Sequence, residues 1–545
     1  MEYEWRPEAG SAEWRVAEYR VCDDRQKVLE HWLIDADEQA RTATVTCLSG
    51  GSTEHHWDHL YRITRYTDSY GGEWRYHWTT DGELLKATID PDGNRWEYNH
   101  DTRGNLTMVR DPLGQATLTT WHSVYAFPLK EVLPDGAVWQ YVYNNRGDVT
   151  ELIDPAGGVT RFAWNDQGDL TERTDALQNT NRYWWDERGQ LLREEDCSGH
   201  QSHRICDERG RLIRLSQPGA GSEQWQWTAA GRLAAHIRAD GRETRYDYDS
   251  AGLLTGSNTD GFSERKVTRN ARGQVVTEID PAGHQVRYRY DRFGRLQTLI
   301  NPNGDSWRFE YDNGERLLAQ YDWAGRRTAY RYTRQGQIAE MVRDSLAEGD
   351  EAQRHRYGYD ALGRLIMKQT AASHTEYLYG PREVKIRRAA LSAWQQAAAD
   401  GEEPQWEETL SFSRDALGNL TAEENHGGRW QHTYDALGNL TVTTAPDGSE
   451  LHHLRYGSGH LLQMNLRHSQ GNTELAGYER DSLHREIRRS QGALTLETRY
   501  DAAGRITLRG SRREQQALVF ELRYRWDRLD QIIQESITDG SAGAG

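Results

Sequence analysis

The sequence predicts an all-β protein: a long array of β-hairpins forming a spiralling sheet, with one short helical insertion. Two observations carry this. Glycines recur every 21 residues, at Gly147, Gly168, Gly189, Gly210, Gly231, Gly252, Gly273 and Gly294. The segments between them alternate aromatic and charged residues with period two, the β period. Phase-keeping over this length marks a repeat architecture.

The beat extends upstream to Gly104 and downstream to Gly336, with a slightly shifted copy at Gly314. A second turn lies half a period away. It reads DPDG at 90–93, DPLG at 111–114, DPAG at 154–157 and 280–283, and NPNG at 301–304. Asp or Asn first, Pro second and Gly fourth is a type I turn signature, because proline presets φ and glycine tolerates the exit. Each unit is therefore strand, turn, strand, turn.

Strand faces follow from the alternation. In WRYHW (74–78), Trp74, Tyr76 and Trp78 face one way, and Arg75 and His77 the other. VRYRY (286–290) and WRFEY (307–311) repeat the pattern. The heptad YDALGRL (359–365) returns as YDALGNL (434–440), YDRFGRL (290–296), YDSAGLL (248–254) and YDAAGRI (500–506). It reads as a corner. Its Tyr ends a strand, its Asp bonds turn amides, its Gly permits the bend and its Leu starts the next strand.

Roughly 20 units of two strands, at about 4.8 Å per strand, imply a ribbon on the order of 190 Å long and about 20 Å wide. Sheets twist, so such a ribbon should coil. A filled solenoid and a hollow shell both remain open on this reading. The low aliphatic content leans toward a thin wall.

The boundaries expected are a lead-in at 1–60, irregular and partly β; YD-type repeats at 61–380; an insertion at 381–411; repeats again at 412–535; and a flexible tail at 536–545. The Ala-rich stretch Ala389–Ala399 predicts a short helix inside the insertion.

Composition agrees with a half-buried sheet. Hydrophobic residues are 36% of the 545, with 28 Tyr and 20 Trp against 7 Phe. Mean hydropathy is −0.92. Tyr and Trp carry a polar handle that suits partly covered surfaces. The net charge of −17 disfavours binding to bulk nucleic acid or anionic membrane. Lys stands only at 27, 86, 130, 266, 368 and 385, so nearly all positive charge is Arg, which stacks on rings and forks to carboxylates. Cys22, Cys47, Cys197 and Cys206 form no CxxC pair and predict no disulfide framework. MEYEWRPEAG has no apolar signal-like core, and no run approaches 18 apolar residues, so neither a Sec-type signal nor a membrane span is expected.

The phased YDxxGRL corners and DPxG turns over about residues 60–535 resemble the YD-repeat, or RHS, proteins of bacteria. The resemblance implies a β-ribbon spiralling into a hollow cocoon around a variable C-terminal toxin. It implies a polymorphic toxin of interbacterial competition, commonly delivered by type VI secretion through a PAAR tip domain and a VgrG spike, with a chaperone. An immunity protein would meet only the toxin. The family's PAAR region, its core ending with paired cleavage aspartates and its toxin domain find no match here, so the chain is expected to be the shell piece of a longer product. Asp111, Asp154 and Asp280 lie in DPxG turns but lack the surrounding cleavage sequence, and no protease role is assigned to them. The implied location is cytoplasmic in the producing cell, followed by secretion on a non-Sec route.

Candidate sites give way to structural readings. His55, His56 and His59 of HHWDH could share a zinc ion only on a helix, and the segment reads as irregular or strand. Asp90–Asn94 lacks the downstream Glu of a calcium loop. NLT at 105, 419 and 439 is the repeat's own corner rather than a glycosylation site. Cys197 and Cys206 are expected at ordinary strand positions. No catalytic, cofactor-binding or metal residue and no cofactor is predicted, and a non-enzymatic shell is the main expectation. The aromatic stripe is read as cross-strand packing, with a guest-gripping inner surface as the sharper alternative. A surface or secreted protein binding carbohydrate or protein is the second functional reading.

Overall fold

A computed structural model describes residues 2–7, 14–22, 28–47, 50–81, 83–347, 349–513 and 517–540. Among the described residues there are 48 strands and one helix. The chain forms two compact units, one of residues 1–134 and 267–409, the other of residues 135–266 and 410–545. Each unit is built from two separate stretches of sequence, and each stretch is an antiparallel meander in which a strand pairs with its sequence neighbours.

Strand lengths match the period. Val275–Ile279, Gln285–Tyr290, Leu296–Ile300 and Ser306–Tyr311 alternate five and six residues. In Gln285–Tyr290, Val286, Tyr288 and Tyr290 are half-buried while Gln285, Arg287 and Arg289 are exposed. The faces fall as the alternation predicts. In this strand the rings stop at partial burial.

Among the described residues the buried apolar set is small: mostly alanines such as Ala87, Ala137, Ala235 and Ala319, with Val267, Ile300 and Leu508. The largest fully buried side chain is Thr259. Such a protein has no thick core. Burial comes from cross-strand neighbours within one sheet, such as Tyr288 opposite Leu299 and Leu299 opposite Trp307.

The ends and the insertion refine the expected boundaries. Residues 2–57 carry five strands, the longest Val28–Asp37, although the sequence there lacks a clean phase. The helix runs Leu391–Asp400 and ends on Gly401 in the left-handed conformation, φ 72°. The segment before it, Glu383–Ala390, pairs as a strand with Ser373–Tyr379. At the other end Ile532–Asp539 is a strand, so pairing continues past residue 535 into the stretch expected to be a tail; residues 541–545 lie outside the described set.

Candidate functional site

The corner is the repeated chemical unit. In YDALGRL, Asp360 Oδ1 accepts the backbone amides of Leu362 and Arg364, each at 2.9 Å. Its Oδ2 accepts Arg364 Nε at 2.7 Å. Gly363, at φ 76°, donates its amide to the Asp360 carbonyl at 2.9 Å. Burial pushes the Asp360 carboxyl up, but the Arg364 amide and guanidinium outweigh it and hold the acid below its ordinary range. Where Asn replaces Arg, Asn439 Nδ2 makes the same return bond to Asp435 Oδ2 at 3.0 Å. A side-chain donor after the glycine thus reinforces the corner in GRL and GNL alike, while in YDSAGLL the Leu253 amide alone bonds Asp249 Oδ1, at 2.8 Å.

The DPxG turns use the same device. Asp154 Oδ1 accepts the amides of Ala156 and Gly158 at 2.8 and 2.9 Å. In the Asp90–Asn94 turn, Asn94 Nδ2 donates to Asp90 Oδ2 at 2.8 Å. Asp111 takes the amides of Leu113 and Gln115, and Asp280 faces His284 Nδ1 at 2.9 Å. The turn aspartates thus sit at equivalent corners with local partners.

The corner tyrosine has a longer reach. Tyr290 Oη donates to the Val275 carbonyl at 2.8 Å, fifteen residues back. The ladder between those strands ends at Thr277 opposite Arg287, so the phenol supplies a donor beyond its last rung. Tyr311, Tyr332 and Tyr434 do the same to Leu296, Leu317 and Leu420. Trp164 and Trp227 substitute their indole N–H, reaching Val149 and Leu212 at 2.8 and 2.9 Å. Tyr and Trp exchange at this position because both carry a donor at the ring's far end.

Within each unit, corners from the two stretches of sequence meet. In the first, Tyr70 Oη donates to Asp312 Oδ1 at 3.0 Å, and Gln335 Nε2 donates to Asp90 Oδ2 at 2.5 Å. In the second, Asn179 Nδ2 bonds the Gly457 carbonyl at 3.1 Å and Ser482 Oγ the Pro218 carbonyl at 2.9 Å. Arg242 and Asp530 pair at 2.8 Å.

One seam in the second unit concentrates titratable groups. Asp196 Oδ2 lies 3.0 Å from His484 Nε2 and 3.2 Å from His200 Nδ1. Asp196 Oδ1 is held by the amides of Ser198 and His200. Tyr456 Oη lies 3.0 Å from His484 Nδ1, and the His460 ring stacks on His484 at 3.7 Å. Burial pushes the Asp196 carboxyl up, but the bond from His484, then the amide bonds, bring it below its ordinary value. Burial, with His484 and Arg480 nearby, depresses the His460 imidazole. His484 adopts φ 59° at the corner's glycine position.

The sequence reading did not find this cluster, although a signal existed. RDSLHRE (480–486) is a corner with His in the glycine slot, and WDRLDQI (526–532) is another with Asp530 there. Both side chains reach across a seam. HHWDH instead runs along the strand Ser52–Trp57 into a corner, so His55 and His56 face opposite ways, bonding Thr53 and Glu54. Asn105, Asn419 and Asn439 are corner residues, their side chains bonded to Asp101, Asp415 and Asp435. Cys206 ends a strand, with burial pushing its thiol up. Cys197 is not a strand residue as expected: it sits in the turn after Asp196, its Sγ 3.4 Å from Ser458 Oγ.

Comparison with known proteins agrees with this architecture. Residues 78–116, 143–180, 227–262, 269–306 and 414–450 match the family model described as RHS Repeat. The chain is 35% identical over 165 residues to double-stranded DNA deaminase toxin A of Burkholderia cenocepacia, covering 30% of this chain and 11% of that protein. It is 32% identical over 136 residues to toxin protein Tse5 of Pseudomonas aeruginosa, covering 23% of this chain and 10% of that one. The matching regions therefore span about a tenth of these curated relatives. The fold is similar to that in the Photorhabdus luminescens Tc holotoxin pore structure, with TM-score 0.59 at 13% identity over 94% of this chain and 32% of that one.

Proposed function

We propose, from the premise that this chain belongs to the RHS-repeat family, that it is the wall of a capsule enclosing a toxic polypeptide cargo. The observation carrying this reading is the long sheet whose described residues bury few apolar side chains and whose aromatic row stays half-covered. A sheet with so small a buried set spends its residues on area rather than on core, which suits a barrier. Its mechanism is steric: the wall denies the cargo access to its target until delivery. The role is non-catalytic, and chemistry belongs to the cargo.

The names of similar proteins, two of them toxins, support a toxin context. We further propose a cargo at the C-terminal side of the repeats, as in the family plan, cytoplasmic synthesis and export by a non-Sec route. Type VI delivery with a VgrG spike, a PAAR domain and a chaperone, in competition between bacteria, completes the proposal.

The test is co-expression of the full polypeptide and its cargo with and without residues 143–266. Loss of the repeats should restore toxicity to the producing cell and open the cargo to added protease. Equal harmlessness and equal protease resistance in the two forms would refute the capsule reading. Glycan binding by the intact chain under the same conditions would favour a surface-binding protein instead.

A further inference from the structure

The geometry points to a metal site: we propose that Asp196, His200 and His484 bind one first-row divalent ion of the zinc class, which pins two distant corners of the second unit together. The three ligand atoms lie within 4.8 Å of one another. Both imidazoles aim a nitrogen at the same oxygen, Asp196 Oδ2, at 3.0 and 3.2 Å. A tetrahedral zinc with ligands at about 2.0–2.1 Å has ligand atoms about 3.3 Å apart. The two distances to Asp196 Oδ2 are thus already those of such a site, and the two imidazole nitrogens, within 4.8 Å of each other, close the face by side-chain movement.

The surroundings orient the ligands. A metal-binding imidazole normally gives its other N–H to a fixed acceptor, which sets the tautomer. Tyr456 Oη stands 3.0 Å from His484 Nδ1, placed to accept from Nδ1–H in the tautomer that leaves Nε2 for the ion. His460 stacks on His484 with the rings 9° from parallel and limits rotation. Arg480 Nη1 donates to the His484 carbonyl at 2.9 Å and holds the corner. Two amides hold the second oxygen of Asp196. Two imidazoles and one carboxylate favour zinc, cobalt or nickel over magnesium or calcium, which prefer all-oxygen shells. The side chains of His200 and Asp196 are about one-third exposed, at 32% and 31%, so the fourth position opens to water. Binding needs the His484 tautomer protonated at Nδ1, so the proton that Nε2 gives to Asp196 Oδ2 in the ion-free pair moves to Nδ1, which donates to Tyr456 Oη, and Nε2 takes the ion.

The residue choice at 484 supports the assignment. The corner's glycine slot is left-handed, a conformation strained for a residue with a side chain. His484 occupies it at φ 59°. That conformation directs its imidazole across to Asp196.

The test uses the full chain, stripped with chelator and titrated with Zn²⁺ by calorimetry and with Co²⁺ by visible absorption. One ion per chain and the intense visible bands of tetrahedral cobalt are expected. Zinc should also slow hydrogen exchange in 196–200 and 481–485 together. H484G restores the glycine that the corner geometry prefers, so folding is retained, yet zinc affinity should fall about 100-fold or more. Y456F leaves all three ligands and should weaken binding about 10-fold. Absence of stoichiometric binding, or affinity unchanged in H484G, overturns the proposal and leaves Asp196 and His484 a hydrogen-bonded pair only. Neither outcome bears on the capsule reading.

Discussion

Tyr70 Oη sits 3.0 Å from Asp312 Oδ1, joining corners 242 residues apart in sequence. The same oxygen accepts the Arg316 amide at 3.0 Å, and the Arg316 guanidinium lies 3.4 Å from the Tyr70 ring centre. Burial, then the Asp312 bond, push the Tyr70 phenol up to about 12. Its folded pKa is above the unfolded value near 10, so its contribution is complete below pH 10. It is lost as the pH rises toward 12. Y70F should abolish this alkaline component while leaving the pH dependence of stability at pH 7–9 unchanged. Hydrogen exchange in 312–316 should rise about 5-fold, matching one lost bond of about 1 kcal/mol. Alkaline denaturation of both proteins checks the first expectation.

Asp530 marks the corresponding seam of the second unit. Burial pushes its carboxyl up, but Arg238, Arg242 and Arg505 outweigh it and hold the acid at about 2. A depressed folded pKa gives stability that is present above about pH 4 and lost as the pH falls through 2. D530N should flatten acid unfolding between pH 4 and 2 relative to the parent protein. An unchanged profile in D530N would show that the three arginines do not act through this carboxylate.

Asp530 also offers a contest between strain and pairing. It stands at φ 62° in a glycine slot, so D530G relieves the backbone. The same change leaves the buried Arg242, which Asp530 meets at 2.8 Å, with Asp240 at 2.6 Å as its remaining carboxylate partner. Loss of a buried charge's partner outweighs the relief of about 1 kcal/mol. D530G should therefore be less stable than the parent by about 1–3 kcal/mol, measured by urea denaturation.

The aromatic donor at the strand end gives a chemical series. Y290F removes the 2.8 Å bond to the Val275 carbonyl and should cost about 1 kcal/mol locally. Y290W should lose less, because Trp164 makes the equivalent bond through its indole. Hydrogen exchange in 275–290, read for Y290F, Y290W and the parent, should order them parent, Trp, Phe from slowest to fastest.

A corner glycine can be tested where space is not the issue. Gly304 has φ 94° and nothing within 4 Å of a would-be Cβ. G304A should still cost about 1 kcal/mol, since the strain is in the backbone. G304N should cost less, because Asn tolerates this region. Equal stability of all three proteins would remove the backbone argument.

Much of this was readable from residues close in the chain. The corner is local chemistry: Asp360, Gly363 and Arg364 meet within five residues, so their roles follow from turn geometry alone. The alternation of Tyr288 with Arg287 and Arg289 assigns the two faces because strand side chains have period two. The exchange of Trp164 for Tyr at the strand end was not readable, since the accepting carbonyl of Val149 lies fifteen residues back, beyond the last rung of the ladder. Nor was the turn placement of Cys197, because DCSGH departs from both turn signatures.

The sequence by itself determined the β-hairpin array, its corners, its aromatic and charged faces and the thinness of its core. Each of these depends on spacings of a few residues. Only the tertiary structure decided which corners meet, bringing Asp196 to His484 and Tyr70 to Asp312. Those meetings depend on twist accumulated over many strands, each contributing a small angle. No short-range pattern encodes that sum, so a carboxylate and two imidazoles drawn from corners 288 residues apart stay invisible until the fold brings them together.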